Sequence, residues 1–314
     1  MGNRPKVLVV SGCAGDAEVV SAYVKRHADD REWICCVSGP AEKVFARKGI
    51  PTLPIAAKDD TDALIERNLP LEMVIANPSW LSPVELAVIR SARSHGVRTI
   101  TYLDHWVNYR ERFEYPHDGW QENLPDEFWV GDLHALEIAK ADFPGRTVHL
   151  VPNQYFEEVK KSFAKVAKKV AEDPRAVLFV SEPISDVINT FGDREPISFT
   201  ETEVLEAVCA SMIRHAPARR LVVRLHPAEP RGKYDDLFAR VGPAIDVRVS
   251  ERATLLEDIA AVPIVIGIES MALVIAVLCG KKAISVFPDA RGRCSLPFPE
   301  IVKLKDGEGL ADFL

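Results

Sequence analysis

The sequence predicts an α/β protein made of two doubly wound halves, and three observations carry that prediction. Short β-rich apolar runs alternate with helix-like segments from end to end. The alternation restarts after Pro174, and 314 residues exceed the roughly 100–200 of one ordinary domain. An apolar share of 47% beside 27% charged residues gives each half enough material for its own core and excludes a mostly disordered chain.

In the first half, Val7–Val10, Trp33–Val37, Met73–Ala76 and Thr99–Leu103 read as strands. Helix-like segments over Ala17–His27, Ala41–Lys48 and Val84–His95 separate them, and Phe128–Val130 and Val148–Val151 complete the set. Strand, helix, strand at this spacing requires parallel pairing through crossovers, hence a sheet covered on both faces. Phe156–Asp173 reads as a helix with Phe163, Val166 and Val170 on one face and Lys160, Lys161, Lys165, Lys168 and Lys169 around them. Two readings stand for it: a solvated helix at the domain junction, or a basic helix making a peripheral membrane contact. The second half takes strands over Ala176–Val180, Leu221–Leu225, Val247–Val249, Pro263–Ile266 and Ala283–Phe287. Its helices are Val204–His215, Asp235–Val241, Thr254–Ala260 and Met271–Cys279. The expected domains are therefore residues 1–155 and 175–290, joined by a helical linker over 156–174. A tail over 291–314 follows, and a path back to the first half is open to it.

The net charge of −7 argues against nucleic acid as a partner, because such binding needs a basic surface. The six cysteines include no C-x-x-C, and Cys35 and Cys36 are neighbours in an apolar run, which fits reduced thiols in a cytoplasmic protein. Lys6–Val10 is too short for a signal-peptide core. Ile259–Gly280 is apolar enough to resemble a membrane span, but Pro263, Gly267 and Glu269 divide it into a strand and a helix.

In such sheets ligands bind beyond the carboxyl ends of the strands. Four segments fall there in the predicted pattern. After the strand ending at Gly267 come Glu269, Ser270 and Met271, with Ser270 placed as an N-cap and the helix start free to favour an anion. Simple capping is the alternative; Glu269 suits a ribose or sugar hydroxyl pair. Arg224-Leu-His-Pro-Ala-Glu229 projects His226 from a neighbouring strand end, with Pro227 fixing the backbone, so that the imidazole binds or protonates a phosphate oxygen. Ser181 and Glu182 occupy the analogous position after the opening strand of this half, where Ser181 donates to a phosphate or the segment is an ordinary turn.

In the first half, Ser11-Gly12-Cys13-Ala14-Gly15-Asp16 is a glycine-rich loop in which Gly12 allows close ligand approach. It lacks both the dinucleotide G-x-G-x-x-G spacing and a Walker A lysine. Asp16 either begins the next helix or acts as a base. The strand ending at Leu103 delivers Asp104, His105, Trp106, Asn108, Tyr109 and Arg110, and three of the five tryptophans lie between 106 and 129. Aromatic faces among polar groups suit sugar stacking and hydroxyl recognition, with Asp104 as the general base; a loop packed by its own aromatics is the alternative. The histidines are scattered, so no metal is expected, nor is a resident cofactor; the absence of a G-x-S-x-G elbow argues against an α/β-hydrolase.

His226-Pro227 followed by Glu269-Ser270 resembles the His-Pro and serine motifs of bacterial sialyltransferases and related capsule enzymes, and of CDP-glycerol glycerophosphotransferases. The layout as a whole resembles GT-B glycosyltransferases, two Rossmann-like domains facing across a cleft. The resemblance implies a metal-independent, inverting transferase in surface-glycan synthesis. His226 and Ser270 would hold the donor phosphate, Asp104 or Asp16 would be the base, and a CMP-activated acidic sugar and a glycan or glycoconjugate would be the partners. A UDP-N-acetylglucosamine 2-epimerase or nucleotide-sugar hydrolase on the same scaffold is the enzymatic alternative. A catalytically inert binding or assembly subunit is the other.

Overall fold

The computed structural model describes residues 4–56, 59–79, 83–185, 199–288, 293–305 and 307–314. The chain divides into two compact units, Met1–Glu158 and Val159–Leu314.

In the first unit the order is β1 (Lys6–Ser11), α1 (Ala14–Arg26), β2 (Glu32–Val37), α2 (Pro40–Arg47), β3 (Leu53–Pro54), α3 (Thr61–Glu66), β4 (Met73–Ala76), α4 (Val84–Ser94), β5 (Arg98–Leu103), β6 (Glu127–Val130), α5 (Leu133–Asp142) and β7 (Thr147–Leu150). The strands form one parallel sheet in the order β3-β2-β1-β4-β5-β6-β7. β1 and β4 are buried over nearly their whole length, which is why they read as unbroken apolar runs. The core beside β1 joins Val7 and Val9 to Val20 and Val24 of α1, Phe45 of α2, and Tyr102 and Trp129 of β5 and β6.

α6 (Gln154–Val166) carries the chain across the unit boundary. It ends seven residues before the predicted Asp173. Lys161, Lys165 and Lys169 stand four apart, and like charges at that spacing oppose helix extension; the backbone turns off at Ala167–Val170.

The second unit comprises β8 (Ala176–Val180), α7 (Glu201–His215), β9 (Arg220–Arg224), α8 (Asp235–Val241), β10 (Asp246–Val249), α9 (Leu255–Ala260), β11 (Ile264–Gly267), α10 (Met271–Leu278), β12 (Lys282–Val286) and β13 (Ile301–Leu304). Its sheet is also parallel, ordered β10-β9-β8-β11-β12-β13. The tail corrects the expectation of a return to the first half. Ile301 to Leu304 pair in register with Ala283 to Val286, adding an edge strand to this sheet, and Gly307 packs on Ala207 of α7. The expected start of the tail at Arg291 lies outside the described residues.

The apolar stretch at Ile259–Gly280 divides as its punctuation predicts, into the end of α9, then β11 and α10. Among the described residues no helix is long and apolar enough to cross a membrane. All six cysteines are unpaired.

The two sheets share one topological feature. β1 and β8 each sit inside their sheet. The next two strands are laid to one side, and the fourth, β4 or β11, returns to the other. The β1/β4 and β8/β11 carboxyl ends are therefore switch points, where the outgoing loops diverge and leave room for a ligand. At the second, β11 must come close to β8: a Cβ on Gly267 would lie 2.7 Å from Val180 Cγ2. Gly267→Ala is expected to cost about 1–3 kcal/mol in urea denaturation. Val180→Ala in the same chain is expected to recover part of that loss; a strictly additive double variant would count against the contact.

Candidate functional site

The second switch point gathers four of the predicted residues. Ser270 has extended backbone and caps α10, its Oγ accepting the Ala272 N–H at 3.2 Å. Met271 opens the helix behind it, where the first-turn N–H groups have no intrahelical acceptor. Glu182, on the loop after β8, reaches across the switch point and accepts the Glu269 N–H at 2.7 Å. That carboxyl thus ties the two loops together. Burial pushes it up to about 7, against the backbone bond that favours its charge. Glu269 Oε1 in turn accepts the Ser295 N–H at 2.5 Å.

His226 lies beyond the carboxyl end of β9, the strand next to β8, and is exposed. Its Nδ1 accepts the Ala228 N–H at 3.2 Å, so the neutral ring carries its proton on Nε2. Partial burial holds its pKa below the ordinary imidazole value. Pro227 and Ala228 are exposed at the turn.

The support beneath this loop is a buried polar cluster. Glu229 accepts the His226 N–H at 2.7 Å through Oε2. Through Oε1 it accepts the Ser181 hydroxyl at 2.8 Å and the Lys233 ammonium at 2.7 Å. Lys233 also pairs with buried Glu201 at the start of α7, and the Tyr234 hydroxyl lies 2.6 Å from Ser181 Oγ. This corrects the expectation for Ser181. It is 4% exposed and its proton is taken by Glu229, so it braces the His226 turn and offers nothing to a phosphate. Glu229 stands three residues after His226 within the motif, a spacing the sequence displays, but its partners Ser181 and Glu201 are distant in sequence.

At the first switch point Gly12 follows β1, and a Cβ there would lie 2.7 Å from Oε1 of buried Glu85. Asp16 falls in the first turn of α1 and is 1% exposed, accepting Ser11 Oγ at 2.8 Å and Cys13 Sγ at 2.6 Å. Burial first, and the nearby Asp104 carboxylate second, push Asp16 up to about 7. The Cys13 thiol is raised far above its ordinary value by the same burial, which leaves it unreactive. Asp104 follows β5 and accepts the Arg112 guanidinium at 2.6 Å. Arg112 carried no role in the sequence pattern.

In the aromatic segment after β5, Trp106 and Tyr109 are committed to the protein's own interior. Tyr109 is fully buried, and Trp106, 5% exposed, donates its indole N–H to Asp132 at 3.0 Å. Arg110 caps the end of α5 through the Asp142 carbonyl at 2.9 Å. Phe113, Phe128 and Phe143 form a cluster in which Phe128 stacks on Phe143 at 4.1 Å. These rings fill their own small core. Of the predicted set, Asn108 is exposed, in a left-handed turn, and His105 is partly buried with Nδ1 unpartnered and its pKa lowered by burial.

A separate cavity of about 720 Å³ lies along β9 and β10, lined by Arg220, Arg248, Arg252 and others, and holds none of the predicted residues.

No protein-family model matches the sequence, and no curated protein matches it. Solved structures do. UDP-GlcNAc 2-epimerase from Neisseria meningitidis, bound to UDP-GlcNAc, is 11% identical, with a TM-score of 0.67 over 98% of this chain and 90% of that one. The UDP-GlcNAc 2-epimerase from Methanocaldococcus jannaschii is 12% identical, with a TM-score of 0.66 over 98% and 92%. HepE from Anabaena, in complex with UDP-glucose, is 12% identical, with a TM-score of 0.62 over 98% and 88%. At such identities the likeness establishes the fold: two Rossmann-like units of GT-B type. The sialyltransferase resemblance narrows to that fold, since these similar structures are epimerases and HepE.

Two outcomes follow from the geometry. Glu229→Ala is expected to destabilise the chain by about 2–4 kcal/mol, because it strands a buried lysine, a hydroxyl and an N–H; Glu229→Gln should cost less. Equal stability of Glu229→Ala and wild type in urea would show the clamp to be idle. Folded Asp16 holds its proton up to about pH 7, whereas the unfolded chain releases it near 3.8. The folded state therefore binds more protons between these values, and stability falls as pH rises through that window. The wild-type curve should decline relative to Asp16→Asn with a slope approaching about 1.4 kcal/mol per pH unit. Parallel curves would mean that Asp16 is ionised throughout.

Proposed function

We propose that this chain is a nucleotide-sugar enzyme acting on a UDP-linked sugar, and that it inverts a sugar carbon by removing and returning a proton. The observation that carries the reading is the second switch point, where Ser270, the open start of α10 and the Nε2 proton of His226 are donors suited to phosphate oxygens. Glu269, with one oxygen engaged by Ser295, keeps the other for a ribose or sugar hydroxyl. Support also comes from the fold. It is shared over 98% of the chain with structures whose bound molecules are UDP-GlcNAc and UDP-glucose. A CMP-activated donor has no such support.

Inversion at the carbon next to the anomeric centre breaks its C–H bond as the C1–O bond to UDP breaks, the electron pair forming a C1=C2 double bond and UDP leaving. Return of UDP to C1 and of a proton to the opposite face of C2 restores both bonds, which calls for one group able to accept a proton and one able to donate. In this reading Asp16 and Asp104 fill those roles. Asp16 exchanges its proton near neutrality, and two carboxyls in electrostatic contact do not readily ionise together. Neither step draws on an oxidant or on a second substrate.

Calorimetric titration with UDP and CMP, followed by incubation with UDP-GlcNAc in deuterated water, tests the proposal. UDP should bind at least about tenfold more tightly than CMP. The recovered sugar should be inverted and carry solvent deuterium at the inverted carbon, with no acceptor added. His226→Ala should weaken UDP binding by about tenfold or more. Asp16→Asn should lower turnover by about 10²–10⁴ with UDP affinity unchanged. Nucleotide release only in the presence of a glycan acceptor would replace this reading with glycosyl transfer. Binding without turnover would point to an inert subunit.

A further inference from the structure

β8 is apolar throughout, but β9 alternates as Arg220-Leu-Val-Val-Arg224. Leu221 and Val223 are fully buried on one face of the sheet, while Arg220, Val222 and Arg224 share the other and are partly buried. On that second face the register sets Asp246 and Arg248 of β10 beside Arg220 and Val222, and both are exposed. It also sets Ala176, Leu178 and Val180 of β8 there, at 4%, 0% and 3% exposure. Cover is thus complete over β8, thin over β9 and missing from β10. The connections explain the gap. Crossovers of one hand put α7 and α8 together on the Leu221 face, and α9 is left to cover the Val222 face as the chain returns from β10 to β11. One helix about 10 Å wide covers about two strands spaced about 4.8 Å apart, too few for the four from β10 to β11.

The cavity of about 720 Å³ along β9 and β10 is this gap, with Ala176, Val222, Val249 and Val262 as its apolar lining. The aspartates around it are already spent. Asp173 accepts Arg220 Nη1 at 3.2 Å, and Asp246 accepts Arg220 Nε at 2.5 Å. Buried Asp258 of α9 accepts Arg224 Nη1 at 2.6 Å through one oxygen and the Ser250 hydroxyl at 2.5 Å through the other, with Arg252 Nε 3.9 Å away. Arg248 and Arg231, the latter in the turn leading to α8, also line the cavity and are exposed. Among the described residues neither has a hydrogen-bond or ion-pair partner, and of the acids in the lining only Glu251 is equally uncommitted. Two free guanidiniums therefore stand against one free carboxylate, beside an apolar strip.

We propose that this uncovered stretch of the second sheet binds an organic phosphate, its apolar body laid on Val222 and its phosphate taken by Arg231 and Arg248. A guanidinium presents planar, paired donors that match phosphate oxygens, and these two have no acceptor within the described protein. Glu251 disfavours a molecule charged along its whole length, which selects one anionic end on an uncharged body. The volume lies within the roughly 300–1,000 Å³ of small-molecule sites. Arg220 and Arg224, held by Asp173, Asp246 and Asp258, are walls of the site and not its donors. The cavity shares no residue with the rim that carries Ser270 and His226, so this site stands apart from the UDP-sugar reading.

Phenyl phosphate, a ring with one phosphate, is the probe. It is titrated into the full chain carrying methyl-labelled valine, with Val222→Ile assigning the Val222 signal by its loss. That signal should shift saturably, with a Kd of about 1 mM or tighter. The double variant Arg231→Gln, Arg248→Gln alters only exposed, uncommitted side chains, and in it the affinity should fall by at least about tenfold. His226→Ala should leave the Val222 titration unchanged. Inorganic phosphate should compete only at concentrations at least about tenfold higher, because it has no body to bury. The proposal is overturned if Val222 shows no saturable shift, if the double variant binds as wild type does, or if inorganic phosphate binds equally well. Loss of the Val222 shift in His226→Ala would overturn it by assigning the phosphate to the second switch point. Self-association in sedimentation that the double variant abolishes would overturn it in favour of a second copy of the chain.

Discussion

A parallel sheet laid down from an inner strand must contain one pair of neighbours whose outgoing loops part company, and this requirement decides where chemistry can reside in either unit. In both sheets the third strand ends one direction of growth and the fourth begins the other, on the far side of the first. Everywhere else, consecutive loops crowd over the same edge of the sheet. At the β1/β4 and β8/β11 ends they separate, and backbone groups there have no neighbouring loop to satisfy them. Side chains fill that role instead. Glu182 crosses the second gap to accept the Glu269 N–H, and Gly267 permits the approach of β11 to β8 that makes the crossing short. Beside the first gap, Asn77 at the end of β4 turns the other way, its side-chain oxygen accepting the Tyr102 N–H of β5 at 2.9 Å.

The two rims bury charge in opposite ways. Beneath His226, Glu229 is saturated: an ammonium, a hydroxyl and an N–H all point at it. Such a cluster is rigid, since moving any member strands the others. Around α1 the balance is reversed. Asp16 is buried with a hydroxyl and a thiol as its partners, while the Arg112 guanidinium is held by Asp104, and burial pushes the Asp16 carboxyl up to about 7. The first arrangement holds a turn still, while the second stores a proton near neutrality.

Much of this architecture was legible because strands buried on both faces must be apolar throughout. Val7–Val10, Met73–Ala76, Ala176–Val180 and the β11 strand are found within a residue or two of where their composition places them. What escaped were the elements whose signal is a cap and not a period. α3 begins at Asp60, which accepts the Asp62 and Ala63 N–H groups, and α5 begins at Asp132, which accepts that of Ala135. Neither helix has a strong apolar face. The edge strands β3 and β13 are short and partly exposed, so they carry little of the hydrophobic pattern. For the candidate site, strand-end position was readable and side-chain commitment was not. Ser181 and Ser270 stand at equivalent places in the sequence pattern, but Glu229 lies 48 residues from Ser181, and only the fold brings it near enough to take the hydroxyl proton. The aromatic run after β5 failed for the same reason, because composition does not say which way a ring faces.

A count of protons explains why the second rim suits an anion. Ser181 spends its proton inward on Glu229, while Ser270 spends a lone pair on Ala272 and keeps its proton. His226 likewise spends its Nδ1 lone pair on Ala228 and keeps the proton on Nε2. Glu182 spends acceptor capacity on the Glu269 backbone. Lone pairs are thus consumed by the protein's own backbone, and the protons of Ser270 and His226 are left over, beside a helix start whose N–H groups add to them. Among the described residues, Glu269 Oε1 is held by the Ser295 N–H and Oε2 stands beside it as a further acceptor. A fully anionic ligand would be repelled there, whereas one that places a hydroxyl beside its phosphate would be held at both ends. Under the function proposed above, the rim would take phosphate and hydroxyl together, a stricter requirement than anion binding alone.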